Sequence, residues 1–287
     1  MAEIFLSNIS KSYNGKKIIA NLSLSIPHGI LGVCGANGAG KTTLIKILAG
    51  LINIDEGQII VNDDIVDTAS KNWRRDIGYL SQSPGLYERM TGKEFLDYML
   101  LLSGWKKRRE ERISEVLEIL NLKNYSNIPI GNLSGGTRQR IAIAQAIIHD
   151  PKIILLDEPT NNLDSAERLQ FLNYILEISQ NKIIVYIGHI IQELELISTK
   201  ILLLGKQEIL YYDEPLKFCS HSKGLLKEIK FENPSDYYKI KNRLKILSVK
   251  KTKDSFIIKY DARFSDYSEG EYVIPTFEES YILLTNS

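Results

Sequence analysis

Cysteine is scarce: Cys34 and Cys219 are the only two in 287 residues, and they lie far apart. That spacing excludes a disulfide framework and a clustered-thiolate metal site, and it suits a reducing compartment. Net charge is equally small, a formal +1 from 36 basic and 35 acidic side chains. No global field therefore draws the chain toward nucleic acid or anionic lipid. No apolar run approaches the roughly 18 residues needed to cross a bilayer; the longest, such as IILLD and IIVYI, have strand length. The opening stretch MAEIFLSNISKSYNGKK lacks the basic-then-apolar order of a secretion signal. Tandem repeats and low-complexity tracts are missing too. What is present is ordinary globular material, 44% hydrophobic and 25% charged, enough for one large domain with a small appendix or for two modest domains.

Short β-branched runs alternate with helical patterns: ILGVC (30–34) then KTTLIKILAG (41–50), KIILLD (152–157) then SAERLQFLNYILEIS (165–179), and finally KIIVYIG (182–188). Strands this apolar, each followed by an amphipathic segment, predict a parallel sheet covered on both faces. EIFLSNIS and IIANLSLSI alternate instead, as half-exposed antiparallel strands do. Residues from about 91 to 140 interrupt the rhythm with a helical insert. After Glu214 the texture changes to short mixed pieces with interleaved lysines, closing on a helix expected to start at Pro275. The expected division is 1–214 and 215–287, the second part a small α+β appendix.

GANGAGKT (35–42) matches G-x-x-x-x-G-K-[ST], directly after an apolar strand and directly before a helical run. Gly35, Gly38 and Gly40 let the backbone bend toward a phosphate, and the amides from Asn37 and Ala39 through Thr43 can bind its oxygens. Lys41 is placed to reach the β- and γ-phosphates, and Thr42 to ligate Mg²⁺. In IILLDEPTNNLD, Asp157 ends an apolar strand, where a buried acid is costly unless it faces a cation. Glu158, the next residue, is placed to orient and deprotonate an attacking water. A second glycine turn, LSGGT (133–137), opens a helix expected over about 136–149 and offers another anion site through its free amides and dipole. It carries no lysine.

The phosphate loop at 35–42, LSGGT, ILLDEP (154–159), NNLD (161–164) and His189 stand in the order found in ATP-binding subunits of ABC transporters, which the chain resembles over residues 3 to about 214. The resemblance implies an α/β P-loop nucleoside triphosphatase of the ABC type, with a parallel sheet core, an antiparallel β subdomain and the helical insert. It implies ATP and Mg²⁺ as ligands, and it accounts for the lysine-free turn. In that family two copies meet head to tail, so Ser134, Gly135 and Gly136 would cap the γ-phosphate held by the other copy's P-loop. Tyr13 resembles the aromatic that stacks on adenine. Gln82 resembles the glutamine that touches Mg²⁺ and links the site to the insert. Asp164 resembles the aspartate of the dimer-crossing loop, and His189 the histidine at the γ-phosphate. Thr137, Asn161–Asn162 and Ile187–Gly188 depart from the commonest family residues but remove no charged group.

The resemblance further implies a peripheral place on the inner face of the cell membrane, through a separate permease, with a second ATP-binding subunit. PGLYERMTGKEFLDYM and PTFEESYILLT resemble bacterial drug, lipid or peptide exporters, so export is the expected direction. The alternatives are an import subunit, or an ATPase acting on ribosomes or nucleic acid. Against the latter, only one such domain is present, and the roughly 90 residues between the two glycine turns leave no room for a long coiled coil. Glu228, Glu232, Asp236, Asp254 and Asp261 also intersperse the lysines of the appendix.

Overall fold

The two alternating segments form β1 (Ile4–Tyr13) and β2 (Lys16–Ile26), an antiparallel hairpin. Its turn residues Asn14 and Gly15 have φ of 48° and 76°, the left-handed geometry that matches strand twist in a two-residue hairpin. The next strand, β3 (Gly29–Gly35), leads to α1 (Lys41–Leu48). The chain then returns to the hairpin with β4 (Glu56–Val61) and β5 (Asp64–Ile65), completing a sheet in the order β2-β1-β4-β5. The computed structural model describes residues 3–253, 255–265, 267 and 269–285; Asp254 lies outside them.

A short helix, α2 (Lys71–Arg75), introduces β6 (Ile77–Leu80); β7 (Ile153–Asp157), β8 (Ile183–Ile187) and β9 (Lys200–Leu204) follow later in the chain. With β3 they run parallel in the order β9-β3-β8-β7-β6. Every residue of β3, β7 and β8 is buried, which is why these runs are continuously apolar rather than alternating. Strand β3 pairs on one side with β8 and on the other with β9, so the chain leaves it where the strand order reverses. The crevice outside the carboxyl ends of such strands is where ligands bind in open α/β sheets.

The insert carries α3 (Gly92–Ser103), α4 (Arg109–Ile119) and two single 3-10 turns, and leads into α5 (Gly135–Ile147). A capping box between Thr91 and Glu94 starts α3, and Gly104 ends it with φ of 84°. Helices α4 and α5 lock together through reciprocal arginines. Arg112 donates to the carbonyls of Ile147 and Ile148 at 2.9 Å each. Arg140 donates to those of Leu120 and Asn121 at 3.1 Å each. Each guanidinium thereby satisfies orphan carbonyls at the negative end of the other helix. The start of α5 is one residue earlier than expected, because Ser134 supplies the cap that fixes the first turn, and the helix ends two residues earlier than expected. Helices α6 (Ser165–Ile178) and α7 (Ile191–Ile197) follow β7 and β8.

Two compact units result, Met1–Ile209 and Leu210–Ser287. The division expected after Glu214 differs from this by β10 (Ile209–Asp213). The second unit contains α8 (Pro215–His221), β11 (Leu226–Phe231), α9 (Pro234–Ile240), β12 (Lys245–Lys251), β13 (Phe256–Asp261), β14 (Glu271–Tyr272) and α10 (Phe277–Thr285). Its antiparallel sheet, in the order β12-β13-β11-β14, carries a core of Phe231, Leu244, Ile258 and Tyr260. Pro275 does not open α10. Thr276 and Glu279 bond reciprocally through their side chains and amides, so the helix begins at Phe277 behind a capping box. Among the described residues no helix is long and apolar enough to cross a membrane.

Packing of α5 on β6 leaves no space at Gly78, where a Cβ would stand 1.9 Å from the Ala146 carbonyl oxygen and 2.7 Å from Pro151. Gly78→Ala is expected to cost about 3 kcal/mol or more, the upper range for overpacking. Gly85→Ala, where a Cβ would meet nothing within 4 Å, should stay within about 0.5 kcal/mol of the parent. Urea denaturation of the two variants checks the contrast.

Candidate nucleotide site

The carboxyl ends of β3, β6, β7 and β8 deliver their following residues to one edge of the sheet. Gly35 ends β3 with φ of 147°, and a Cβ there would lie 2.3 Å from the Leu204 carbonyl oxygen, so only glycine fits. Gly38 and Gly40 turn the loop with φ of 81° and 97°. Gly40 then caps α1 without any side-chain acceptor, and no acidic residue occupies the first turn. The amides of Lys41, Thr42 and Thr43 are thus left to an external anion at the positive end of the helix.

A cleft of about 430 Å³ collects Tyr13, Asn37, Gly38, Gly40, Lys41, Thr42, Thr43, Gln82, Glu158 and His189. Gly35 and the buried Ala39 shape the loop behind it. Burial pushes the Lys41 ammonium below its ordinary pKa, against the opposing pull of Cys34, Glu158 and Asp157. Its Nζ is held by the carbonyls of Gly35 at 2.7 Å and Ala36 at 3.1 Å. Tyr13, at the end of β1, keeps an exposed ring at the mouth of the cleft.

Asp157 is 1% exposed. Burial pushes its carboxyl above the usual carboxylate range; the nearby Thr42 hydroxyl pulls the other way, and Glu158 adds to the rise. Neither Asp157 oxygen has a partner of hydrogen-bonding geometry. A buried carboxylate with both oxygens unsatisfied, beside a threonine hydroxyl, is the donor set a hard divalent cation takes. No group of three or more His, Cys, Asp or Glu residues is placed to hold a metal among the described residues. A cation at Asp157 and Thr42 would therefore complete its shell with phosphate and water oxygens, as Mg²⁺ usually does. The residues present fit Mg²⁺.

Glu158 is the most constrained member. Its φ is 54°, a left-handed conformation uncommon for a side chain of this size and one that clusters at functional sites. Its carboxylate is surrounded: Gln82 Nε2 donates at 3.1 Å, Asn161 Nδ2 at 2.7 Å, and His189 Nε2 touches the other oxygen. In the sequence Asn161 stands only as a variation of its loop. Its contact with Glu158 depends on the turn between them, for which three-residue spacing was the sole visible signal.

Four expected site residues lie elsewhere. Ser134 caps α5, accepting from the Thr137 amide at 3.2 Å and sharing a 2.8 Å bond with the Thr137 hydroxyl. That half-buried bond gives Thr137 a local role. Gly135 lines a separate cleft of about 420 Å³ with Pro84, Glu88, Arg138 and Asn162. Gly136 is pinned where a Cβ would meet the Asn162 carbonyl at 2.8 Å. Asp164 caps α6, accepting from the amides of Ala166 and Glu167 at 2.9 and 2.8 Å.

A phosphate loop at a sheet switch point, an acid pair at the end of β7 and an LSGG-capped helix define an ATPase cassette. The sequence model of the ABC transporter family matches residues 19–161. The ABC transporter ATP-binding protein YxlF of Bacillus subtilis is 32% identical over 244 residues, 84% of this chain and 77% of that one. NatA of the same organism, also an ABC transporter ATP-binding protein, is 34% identical over 217 residues, 72% of this chain and 88% of its own. The maltose/maltodextrin import protein MalK of Mannheimia succiniciproducens is 33% identical over 221 residues, covering 76% of this chain and 59% of MalK. A dimeric, post-hydrolysis structure of the ATP-binding cassette MJ0796 with ADP and Pi superimposes with a TM-score of 0.68 at 26% identity, over 74% of this chain and 98% of that one. The chain belongs to the ABC transporter family of ATP-binding proteins and is an ABC-type ATPase.

Loss of the Ser134 cap should cost little stability. Ser134→Ala is expected to lower unfolding free energy by about 1 kcal/mol, measured by urea titration, with the fold retained.

Proposed function

We propose that this chain hydrolyses ATP at the interface of a head-to-tail dimer and drives export through a separate membrane permease. The observation that carries the reading is the convergence of Lys41, Thr42, Gln82, Glu158 and His189 on one cleft. In this reading residues 1–214 form the ATPase domain and 215–287 an accessory domain. Tyr13 stacks on the adenine, an exposed ring offering its face to the base. The amides of α1 and the loop residues Gly35, Asn37, Gly38, Ala39 and Gly40 cradle the phosphates, with Lys41 on the β- and γ-oxygens and Thr43 adding a hydroxyl. Asp157, Thr42 and Gln82 would hold Mg²⁺, which would supply positive charge to neutralise the phosphates. Glu158 accepts the proton of the attacking water, and His189 donates toward the γ-phosphate.

The distance of the LSGG turn from this cleft supports a second subunit. None of Ser134, Gly135 and Gly136 lines the P-loop cleft, and Gly135 lines a different one, so the amides of this turn need a phosphate from outside. A second copy brings one, with Asp164 crossing the junction. The closed dimer is then stabilised only while the γ-phosphate spans both chains, and hydrolysis releases it. The dimeric MJ0796 cassette supports this arrangement by analogy.

Export is favoured by the stretch after Gln82, and a peptide, drug or lipid is the substrate class that stretch suggests. Import is the second reading, supported by the 33–34% identity to the importers MalK and FbpC. No nucleic-acid partner is expected, and the chain's place is the cytoplasmic face of the membrane, held through its permease.

Glu158→Gln is expected to lower ATP turnover by about 10²-fold or more while an ATP-bound dimer accumulates on size exclusion; a variant that binds ATP and stays monomeric would count against the trans role of Ser134. Affinity capture from gently solubilised native membranes, read by mass spectrometry, should return a multi-span permease. Ribosomes or nucleic acid without such a partner would leave the ATPase standing and overturn the transport role.

A further inference from the structure

Glu193 lies in the first turn of α7, beyond His189, and is 4% exposed. Its Oε2 accepts from the Tyr186 hydroxyl at 2.6 Å and from the Thr160 hydroxyl at 3.0 Å. Its Oε1 faces Arg168 Nε at 3.3 Å. Glu193 does not line the nucleotide cleft. A carboxylate in such a place needs its charge and lone pairs met: the two hydroxyls serve Oε2, and Arg168 balances the charge at Oε1 without a hydrogen bond.

The origin of the partners is what matters. Thr160 belongs to the loop that carries Glu158, Asn161 and Asp164. Tyr186 belongs to the end of β8, from which the chain turns to His189. Arg168 belongs to α6, whose cap is Asp164. One buried carboxylate thus ties the loop bearing Glu158 to the turn bearing His189. Glu158 holds a left-handed backbone, φ 54°, that persists only where the surroundings over-determine it. Gly188 belongs to the same device: a Cβ there would stand 3.0 Å from the Tyr186 ring and 3.2 Å from Leu194. The glycine before His189 therefore leaves the room in which the Tyr186 ring lies.

We propose that Glu193 is a positioning residue of the ATPase: through Thr160 and Tyr186 it sets the spacing of Glu158 from His189. The inference rests on reading Glu158 and His189 as members of the hydrolytic site. Loss of the tie displaces the group that activates water while leaving the phosphate loop untouched, so turnover falls and nucleotide affinity does not.

The test uses the full-length chain as wild type, Tyr186→Phe, Glu193→Gln, the double variant, and Glu158→Gln as reference. Steady-state hydrolysis is measured beside equilibrium binding of a fluorescent ATP analogue. Tyr186→Phe and Glu193→Gln are each expected to lower kcat by about 10- to 100-fold, the scale of an ångström-level misplacement. KM and analogue affinity should hold within about twofold, the signature of an interaction realised in the transition state. The double variant should be no slower than Glu193→Gln, because both break one path. Unchanged kcat per binding-competent molecule, or KM rising in step with any fall in kcat, would overturn the proposal. If Glu193→Gln fails to fold, Tyr186→Phe decides alone, since it deletes a hydroxyl and keeps the ring. Full hydrolysis by Glu158→Gln would instead remove the underlying reading of Glu158, whatever the other variants do.

Discussion

The site depends on one constraint, that strands β3, β7 and β8 are buried along their whole length. A strand covered on both faces has no place for a polar side chain except at its ends. Parallel pairing puts all the carboxyl ends on one edge, so the residues that follow four strands meet there. Lys41, Gln82, Glu158 and His189 come from distant parts of the sequence, yet they need no long loops to reach one cleft. Reciprocal capping by Arg112 and Arg140 does for the insert what sheet pairing does for the core. It fixes α5, and with it the LSGG turn, against α4.

Three buried carboxylates show how the fold handles charge, each differently. Asp157 keeps both oxygens unsatisfied at the cleft, and burial pushes its pKa up; that suits a group meant to face a cation. Glu193 accepts two hydroxyls on Oε2, and its Oε1 faces the Arg168 guanidinium as an ion pair without a hydrogen bond. At Asp261 in the second unit, burial alone would raise the pKa, but bonds from Arg263 at 2.8 and 3.0 Å outweigh it and hold the carboxyl below the ordinary range. That contribution to stability is present above the unfolded-state carboxylate pKa and is lost as pH falls through the depressed one. Only the first of the three has the character of a ligand site.

The phosphate loop was legible because each of its residues is demanded locally. Backbone angles at Gly35, Gly38 and Gly40, a lysine and a threonine at the start of a helix, and an apolar strand ahead of them are all properties of adjacent residues. The alternation in β1 and β2 and the unbroken apolar runs of β3, β7 and β8 are local in the same sense. Asn161 was not legible as a partner of Glu158, nor was Glu193 as a partner of Thr160 and Tyr186. Such contacts depend on turn geometry and on helix placement, which sequence spacing does not encode. Pro275 misled for the opposite reason: a proline near a helix start is a good local signal, but the Thr276–Glu279 box one residue later is stronger.

By itself, then, the sequence determined the strand types, the phosphate loop, the acid pair and the order of motifs, because periodicity, glycine geometry and capping act over a few residues. Only the tertiary structure decided that Glu158 is gripped by Gln82, Asn161 and His189, that Asp157 is buried with both oxygens unsatisfied, and that the LSGG turn opens a different cleft from the P-loop. Those outcomes follow from which strands pair and where helices pack. They are set by long-range burial of apolar surface rather than by any residue's own preference.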